Sequence, residues 1–577
     1  MRDWVRALET TQRLREQSRP NLANVVHEAA RLHGDAPALV GTEALLSYAG
    51  LSGRANQVSR WAQSQGLRRG DVVAVLMANC PDYVAIWLGL SQIGCVAALL
   101  NTGLMPDGLA HCIRSAAAWH VITSQALQPL ATAAVAQLSG SQRIWLADAN
   151  GPASLDLEGF DTAALPSVAA PAVSDPALLI YTSGTTGLPK AAIVSHARVL
   201  EWSGWFAGMM EAGPTDRLYN CLPMYHSVGG VVAIGSMLVA GGAVIVREKF
   251  SASRFWPDVA DSGATIVQYI GELCRYLLQS AGDPGVTTPH EVRLCCGNGL
   301  RHEVWEPFQA RFSIPRILEF YAATEGGVSL TNCEGRPGAI GRVPGFLAHR
   351  FPVALVRCDP ITTEVLRDAD GSCMRVAADE PGEAIGLIAK SAGEMVRPFD
   401  GYTDTAASAK KVLTDVFAPG DRWFRTGDLM RQDAAGYYYF VDRLGDTFRW
   451  KGENVSTTEV AGAIESCPGV IEAVVYGVAI PGADGRAGMA ALVVGAGFAL
   501  STLRAHLEAR LPSYARPLFV RLCESIATTG TFKLKKQDLL EQGYAASADP
   551  VWFDDRSSGG YVGVDAALLE ALGIMRL

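Results

Sequence analysis

Three things are scarce in this 577-residue chain: an excess of positive charge, paired cysteines and unbroken apolar length. Lys and Arg number 49 against 58 Asp and Glu, a net charge of −9, which leaves no electrostatic footprint for nucleic acid. The 12 cysteines are scattered, none falls in a C-x-x-C pair, and the adjacent Cys295 and Cys296 cannot easily bridge. A reduced, cytoplasmic chain fits that usage. Arg2, Arg6, Arg13, Arg15 and Arg19 crowd the N-terminus without an apolar segment, which argues against a secretory signal. Residues 227–246 are uncharged over about the length of a membrane span. However, Gly229-Gly230 and Gly241-Gly242 divide them into a helix, a turn and a strand over 243–246. The expectation is a soluble protein, with peripheral membrane association left open. Trp4, Val5, Leu8 and Leu14 predict a weakly amphipathic first helix that packs on the protein rather than on a membrane.

What is present is alternation. Residues 51–65 have helical apolar spacing and stop at Gly66, 71–76 read as a buried strand, 83–93 as a helix and 95–100 as a strand. Strands alternating with helices predict an α/β fold of parallel, doubly wound sheets. The pattern resumes after an irregular, Ala/Pro/Ser/Asp-rich connection at 150–176. From about 339 to 440 short strands and turns predict a β-rich subdomain. Past Asp442-Arg-Leu-Gly-Asp446 a compact α+β pattern follows, with helices at 458–466 and 501–511 and strands at 470–478 and 489–494. The chain thus divides into a large N-terminal domain, 1–443, and a smaller α+β C-terminal domain, 444–577.

The most informative stretch is Tyr181-Thr-Ser-Gly-Thr-Thr-Gly-Leu-Pro-Lys190. Gly184 and Gly187 let the backbone turn its N–H groups inward. Thr182, Ser183, Thr185 and Thr186 add hydroxyls, and Lys190 adds a point charge. Such a loop suits a polyphosphate. It is not the usual P-loop, which needs Gly-Lys-Ser/Thr opening a helix; here Pro189 disfavours helical geometry at Leu188. A polar turn between strands is the competing reading.

Further motifs follow in order: Leu222-Pro-Met-Tyr-His226, Glu319-Phe-Tyr-Ala-Ala-Thr-Glu325, Arg425-Thr-Gly-Asp428, residues 442–460 and Thr528-Thr-Gly-Thr-Phe-Lys533. With 181–190 they closely resemble the adenylate-forming superfamily of acyl-CoA synthetases, adenylation domains and luciferases. Residues 267–275, 297–301 and 445–455 resemble its fatty acid transport protein and very-long-chain acyl-CoA synthetase branch. The resemblance implies that a carboxylate attacks the α-phosphate of Mg·ATP to give an acyl adenylate, which the thiol of CoA then intercepts. ATP, Mg²⁺ and CoA are the implied cofactor and co-substrates.

The same resemblance implies residue roles. Glu325 would ligate Mg²⁺, Thr324 would bind the α-phosphate, Tyr321 would stack on adenine, and Gly297, Asn298 and Gly299 would face adenine through their backbone. Asp428 would bind the ribose, Arg443 the ribose or phosphate, and His226 would lie near the carboxylate. Lys533 would bridge the attacking carboxylate and the α-phosphate. A solvated basic face shared with Lys535 and Lys536 competes with that reading, and Phe532 replaces the family's usual glycine. A rotation of a mobile C-terminal domain about Gly445 would exchange Lys533 for Lys451, Gly452 and Glu453 during thioester formation.

For the acid, residues 269–275 and the apolar segment after His226 are the candidate pocket, with Gly229 and Gly230 leaving volume or else permitting close helix contact. A long- or very-long-chain fatty acid is the leading expectation. A steroid side-chain carboxylate is its rival, and a lipid-uptake protein or an enzyme loading a carrier protein are the other classes.

Overall fold

The computed structural model describes all residues except 17–19, 139, 141, 149–152, 166–169, 183–187, 281–287, 360–361, 392–393, 396–398, 451–452, 481–484, 529–535, 545–548, 557, 566–567 and 570–577. The chain forms two compact units, Met1–Pro337 with Pro398–Lys411, and Gly338–Arg397 with Val412–Leu577.

The first unit opens with helices α1 (Arg2–Glu16) and α2 (Leu22–His33), strands β1 (Pro37–Val40) and β2 (Leu45–Ser47), and helix α3 (Tyr48–Ser64). A six-stranded sheet follows, built from β3 (Val72–Leu76), β4 (Val96–Leu99), β5 (His120–Thr123), β6 (Arg143–Leu146), β7 (Pro176–Thr182) and β8 (Lys190–Ser195). Its order is β6-β5-β3-β4-β7-β8, parallel except for the β7–β8 hairpin. Helices α4 (Pro81–Gln92), α5 (Pro106–Ser115) and α6 (Gln128–Val135) supply the crossovers. The central strands β3 and β4 are apolar throughout because both faces are covered, and Ala74, Leu76, Ala98 and Leu179 lie in one buried cluster. The expected doubly wound pattern is what forms.

Helix α7 (His196–Met210) leads into a second sheet. Its strands are β9 (Arg217–Asn220), β10 (Ala243–Val246), β11 (Ile266–Ile270), β12 (Leu294–Asn298), β13 (Ile317–Ala322) and β14 (Ser329–Asn332). These run β14-β13-β12-β11-β9-β10 and continue into β1 and β2. Between β9 and β10 a π-helical segment, Val228–Gly235, passes into α8 (Ser236–Ala240). Helices α9 (Phe255–Asp261), α10 (Gly271–Ser280) and α11 (His302–Arg311) cover the sheet, and α12 (Thr405–Ala409) closes the unit. No helix among the described residues is long and apolar enough to cross a membrane.

Helix α1 packs as expected, but through a different stripe. Trp4, Ala7, Thr11 and Leu14 are its buried residues, and Trp4 meets Trp205 of α7 edge-on at 5.4 Å. Val5 is instead 41% exposed; one residue on from Trp4, it is turned ~100° around the helix.

The second unit has an antiparallel sheet of β15 (Gly341–Arg342), β16 (Val353–Val356), β17 (Gly382–Ser391), β18 (Glu394–Met395), β19 (Val412–Thr414), β20 (Arg422–Gln432) and β21 (Tyr437–Arg443). Its core path is β16-β17-β20-β21-β15. After the hairpin β22 (Phe448–Trp450) and β23 (Glu453–Val455) comes helix α13 (Thr457–Glu465). A five-stranded sheet follows, of β24 (Val470–Ala479), β25 (Arg486–Val494), β26 (Phe519–Cys523), β27 (Val551–Asp555) and β28 (Gly560–Gly563), with α14 (Leu500–Arg510) and α15 (Gln537–Gln542). The N-cap Ser456 accepts from the Glu459 N–H at 3.2 Å, which fixes where α13 starts.

Candidate functional site

Strands β7 and β8 form an antiparallel hairpin in which Thr182 sits opposite Lys190. The glycine- and hydroxyl-rich stretch is therefore the excursion between two paired residues, anchored to a buried sheet on both sides. Tyr181 fixes one side, its hydroxyl donating to the Cys112 carbonyl at 2.7 Å. On the other side the His111 ring and the Pro189 carbonyl are 3.0 Å apart. Ser183, Gly184, Thr185, Thr186 and Gly187 themselves lie outside the described residues.

Thr324 and Glu325 occupy the turn between β13 and β14, in which Tyr321 pairs with Leu330. Arg198, from the first turn of α7 and only 5% exposed, donates to the Thr324 carbonyl at 3.3 Å and the Glu325 carbonyl at 2.8 Å. Asp400 lies 3.6 Å from Arg198 Nε and supplies the opposing charge. Burial pulls the Arg198 guanidinium below its ordinary range while Asp400 raises it. The Glu325 carboxylate accepts from the Tyr402 hydroxyl. Arg198, the adjacent Thr324 and Glu325, and Tyr402, three places far apart in the sequence, are thus joined.

Glu325 is the carboxylate suited to a divalent ion in this region. Among the described residues no group of three or more His, Cys, Asp or Glu side chains could hold a metal ion. Mg²⁺ usually takes one or two carboxylates and completes its octahedron with phosphate oxygens and water. A single carboxylate with one oxygen engaged by Tyr402 fits that habit.

Below the candidate adenine loop lies a carboxylate that the motif reading passed over. Glu319 of β13 is 1% exposed; Oε1 accepts from the Gly299 N–H at 2.5 Å and the Leu300 N–H at 3.2 Å. The Tyr269 hydroxyl donates to Oε2. Burial pushes the Glu319 carboxyl up to about 8, against the pull of those donors. The Gly299 carbonyl comes so near Gly271 that a Cβ there would stand 1.8 Å from it, so this approach requires glycine. Asn298 ends β12 beside Ile270 of β11, and Gly297 pairs with Tyr269.

His226 ends the turn after β9, half-buried, its ring 4.6 Å from that of Tyr225. Asn79 holds this turn from β3's end, donating to the Leu222 carbonyl at 2.8 Å and accepting from the Met224 N–H at 2.9 Å. Gly229 and Gly230 serve close packing rather than pocket volume. A Cβ on Gly230 would lie 2.2 Å from the Met224 carbonyl oxygen, and one on Gly229 would lie 2.6 Å from that of Pro223. Arg275, 6% exposed, is turned to Glu272 at 2.8 Å.

In the second unit Asp428 and Arg443 are cross-strand neighbours on β20 and β21, 3.8 Å apart through Oδ1 and Nε. The part of β20 that carries Asp428 is a strand rather than a turn, and buried Glu383 fastens it, holding Arg425 at 2.6 Å and accepting from the Gly427 N–H at 3.2 Å. Glu453 is exposed on β23, whereas Lys451, Gly452 and Lys533 lie outside the described residues. Around Gly445 a network forms: Thr457 donates to Asp442 at 3.0 Å, and Lys536 Nζ donates to Thr457 Oγ1 and Asp446 Oδ2, each at 3.0 Å.

A fold of two α/β sheets with a compact α+β module is the architecture of adenylate-forming enzymes. The chain belongs to the AMP-binding enzyme family, whose pattern matches residues 26–360, followed by the AMP-binding enzyme C-terminal domain over 459–533. It is 41% identical over 546 residues to human long-chain fatty acid transport protein 1, covering 92% of this chain and 83% of that one. The medium/long-chain-fatty-acid–CoA ligase FadD6 of Mycobacterium tuberculosis is 39% identical over 580 residues, 99% of this chain and 94% of the ligase. The crystal structure of ATP-bound MatB from Rhodopseudomonas palustris superimposes with a TM-score of 0.73 at 25% identity, covering 90% of this chain and 99% of MatB. By class the chain is an AMP-forming acyl-CoA ligase.

Proposed function

We propose that this ligase activates a long- or very-long-chain fatty acid through an acyl-AMP intermediate. A carboxylate oxygen of the acid attacks the α-phosphorus, the bond to the bridging oxygen of pyrophosphate breaks, and acyl-AMP forms. The CoA sulfur then attacks the acyl carbon, its proton is lost, and AMP leaves with the acyl–oxygen electron pair. The supporting observation is the end-to-end similarity to FadD6, which spans nearly all of both chains. Thr182, Ser183, Gly184, Thr185, Thr186, Gly187 and Lys190 are assigned to the leaving pyrophosphate. Thr324 and Lys533 are assigned to the reacting α-phosphate, where donors matched to growing charge lower the barrier most.

Glu325 would hold Mg²⁺, which when bound neutralises phosphate charge. Tyr321, Gly297, Asn298 and Gly299 are assigned to adenine, Asp428 and Arg443 to ribose, His226 to the acid's carboxylate, and Lys451, Gly452 and Glu453 to the thioester step. The free acid partitions into bilayers with ~0.8 kcal/mol per CH₂; peripheral attachment of the ligase to that same surface is part of this reading, and vesicle sedimentation measures it.

The deciding assay follows AMP and pyrophosphate release with ATP and palmitate, with and without CoA, beside cholate and longer acids. Palmitoyl-CoA formation is the expected result. Thioester from the sterol acid alone would overturn the substrate, and adenylate formation without any CoA thioester would overturn the ligase reading.

A further inference from the structure

Residues 398–411 belong to the first unit, although the chain on either side of them belongs to the second. This short return is tightly fastened. Its backbone runs along β8: the Ile193 N–H donates to the Gly401 carbonyl at 2.9 Å, and the Thr403 N–H donates to the Ala191 carbonyl at 3.0 Å. Ala192 and Tyr402 form an isolated antiparallel bridge between those bonds. Asp400 accepts from the Ser195 N–H at 3.1 Å, and the Tyr402 N–H donates to Ser408 Oγ at 2.8 Å.

The Tyr402 side chain, 6% exposed, therefore leaves a fixed backbone, and its hydroxyl reaches the Glu325 carboxylate. The backbone of Glu325 is fixed separately by Arg198. A carboxylate on a clamped backbone still has its own side-chain torsions to lose. A donor bound to Oε1 removes that freedom in advance and leaves Oε2 for another ligand.

Resting on the assignment of Glu325 to Mg²⁺, we infer that Tyr402 is the positioning residue that sets the Glu325 carboxylate. Tyr402 touches no reacting atom in this role. It acts as outer-sphere partners of metal-binding carboxylates do, whose loss typically weakens metal binding about 10–100-fold.

The test compares the full chain with Tyr402→Phe and Glu325→Gln. Mn²⁺ bound to the complex with a non-hydrolysable ATP analogue is read by electron paramagnetic resonance, and the Mg²⁺ concentration for half-maximal pyrophosphate release is measured alongside. Tyr402→Phe keeps the ring and should weaken Mn²⁺ retention about 10-fold or more. It should raise the Mg²⁺ requirement to match and recover to near the wild-type rate in excess Mg²⁺. Glu325→Gln should lose retention without recovery. If Glu325→Gln weakens Mn²⁺ binding and Tyr402→Phe does not, the inference falls while the Mg²⁺ assignment stands. If Glu325→Gln leaves Mn²⁺ binding unchanged, the assignment falls and takes the inference with it. A Tyr402→Phe rate defect that excess Mg²⁺ does not relieve also overturns the positioning role.

Discussion

Tyr269 on β11 donates its hydroxyl to the buried carboxyl of Glu319 on β13, across the strand that carries the Gly297–Gly299 turn. Glu319 thereby joins the candidate adenine loop to the start of α10. Burial raises its carboxyl from 4.5 to about 8, so the folded chain keeps a proton that the unfolded chain has released across that interval. Its contribution to stability is complete below the lower value and is lost as pH rises through the upper one, by up to about 1.4 kcal/mol per pH unit. Glu319→Gln removes this titration. Urea unfolding at several pH values between about 5 and 9 should show the wild type losing stability relative to Glu319→Gln. A constant difference across that range would mean that Glu319 is already ionised.

Lys533 is assigned to charge that grows at the α-phosphate only in the first half-reaction. Lys533→Ala should therefore lower acid-dependent pyrophosphate exchange by about 100-fold or more. Thioester formation from supplied acyl-AMP and CoA should stay within a few-fold of the wild type. Equal losses in both assays would mean that Lys533 does not act at one step alone.

Gly445 has φ of +92°, and a Cβ added there would meet no described atom within 4 Å, so backbone geometry rather than space demands glycine. Proline would force φ to about −65°. Gly445→Pro should slow overall turnover while the isolated binding of ATP is kept. Asp446→Asn tests the adjoining Lys536 contact at 3.0 Å. If Lys536 holds the hinge in one setting, Asp446→Asn should shift the balance between the two half-reactions. Unchanged kinetics in both variants would remove this segment as a hinge.

The strands and the family were legible because each rests on local pattern: the apolar runs of β3 and β4, and runs of consecutive residues such as 181–190. The supports of the site were not. Tyr402 stands 77 positions from Glu325, and Arg198 stands 127 positions from it, and in a single sequence an arginine in the first turn of a helix reads as a surface residue. Glu319 did leave a trace, a lone carboxylate within the apolar Ile317-Leu-Glu-Phe-Tyr321, which signals a buried acid with donors around it. Gly229 and Gly230 misdirected the volume argument, because glycine marks both empty space and close contact, and only the 2.2 Å approach to Met224 separates them.

Helix α1 owes its seat on α7 to glycine. A Cβ on Gly208 would lie 2.4 Å from the Ala7 Cα, and one on Gly204 would lie 2.7 Å from Leu14 Cδ1. The first obstacle is backbone and the second is a movable side-chain end, so the two positions should differ. Gly208→Ala must displace α1, straining the Arg6 Nε bond to the Gly208 carbonyl at 2.8 Å and the Trp4–Trp205 contact. Overpacking of this kind costs about 1–3 kcal/mol, offset in part by alanine's better helix propensity, ~1 kcal/mol. Gly204→Ala meets Leu14 Cδ1, which a rotamer change can move, and Thr11 Cα at 3.2 Å, which a shift of a few tenths of an ångström relieves, so it should cost less. Thermal unfolding that ranks Gly208→Ala clearly below Gly204→Ala supports backbone contact as the constraint on α1. Equal midpoints would mean that α1 is held by its side chains alone.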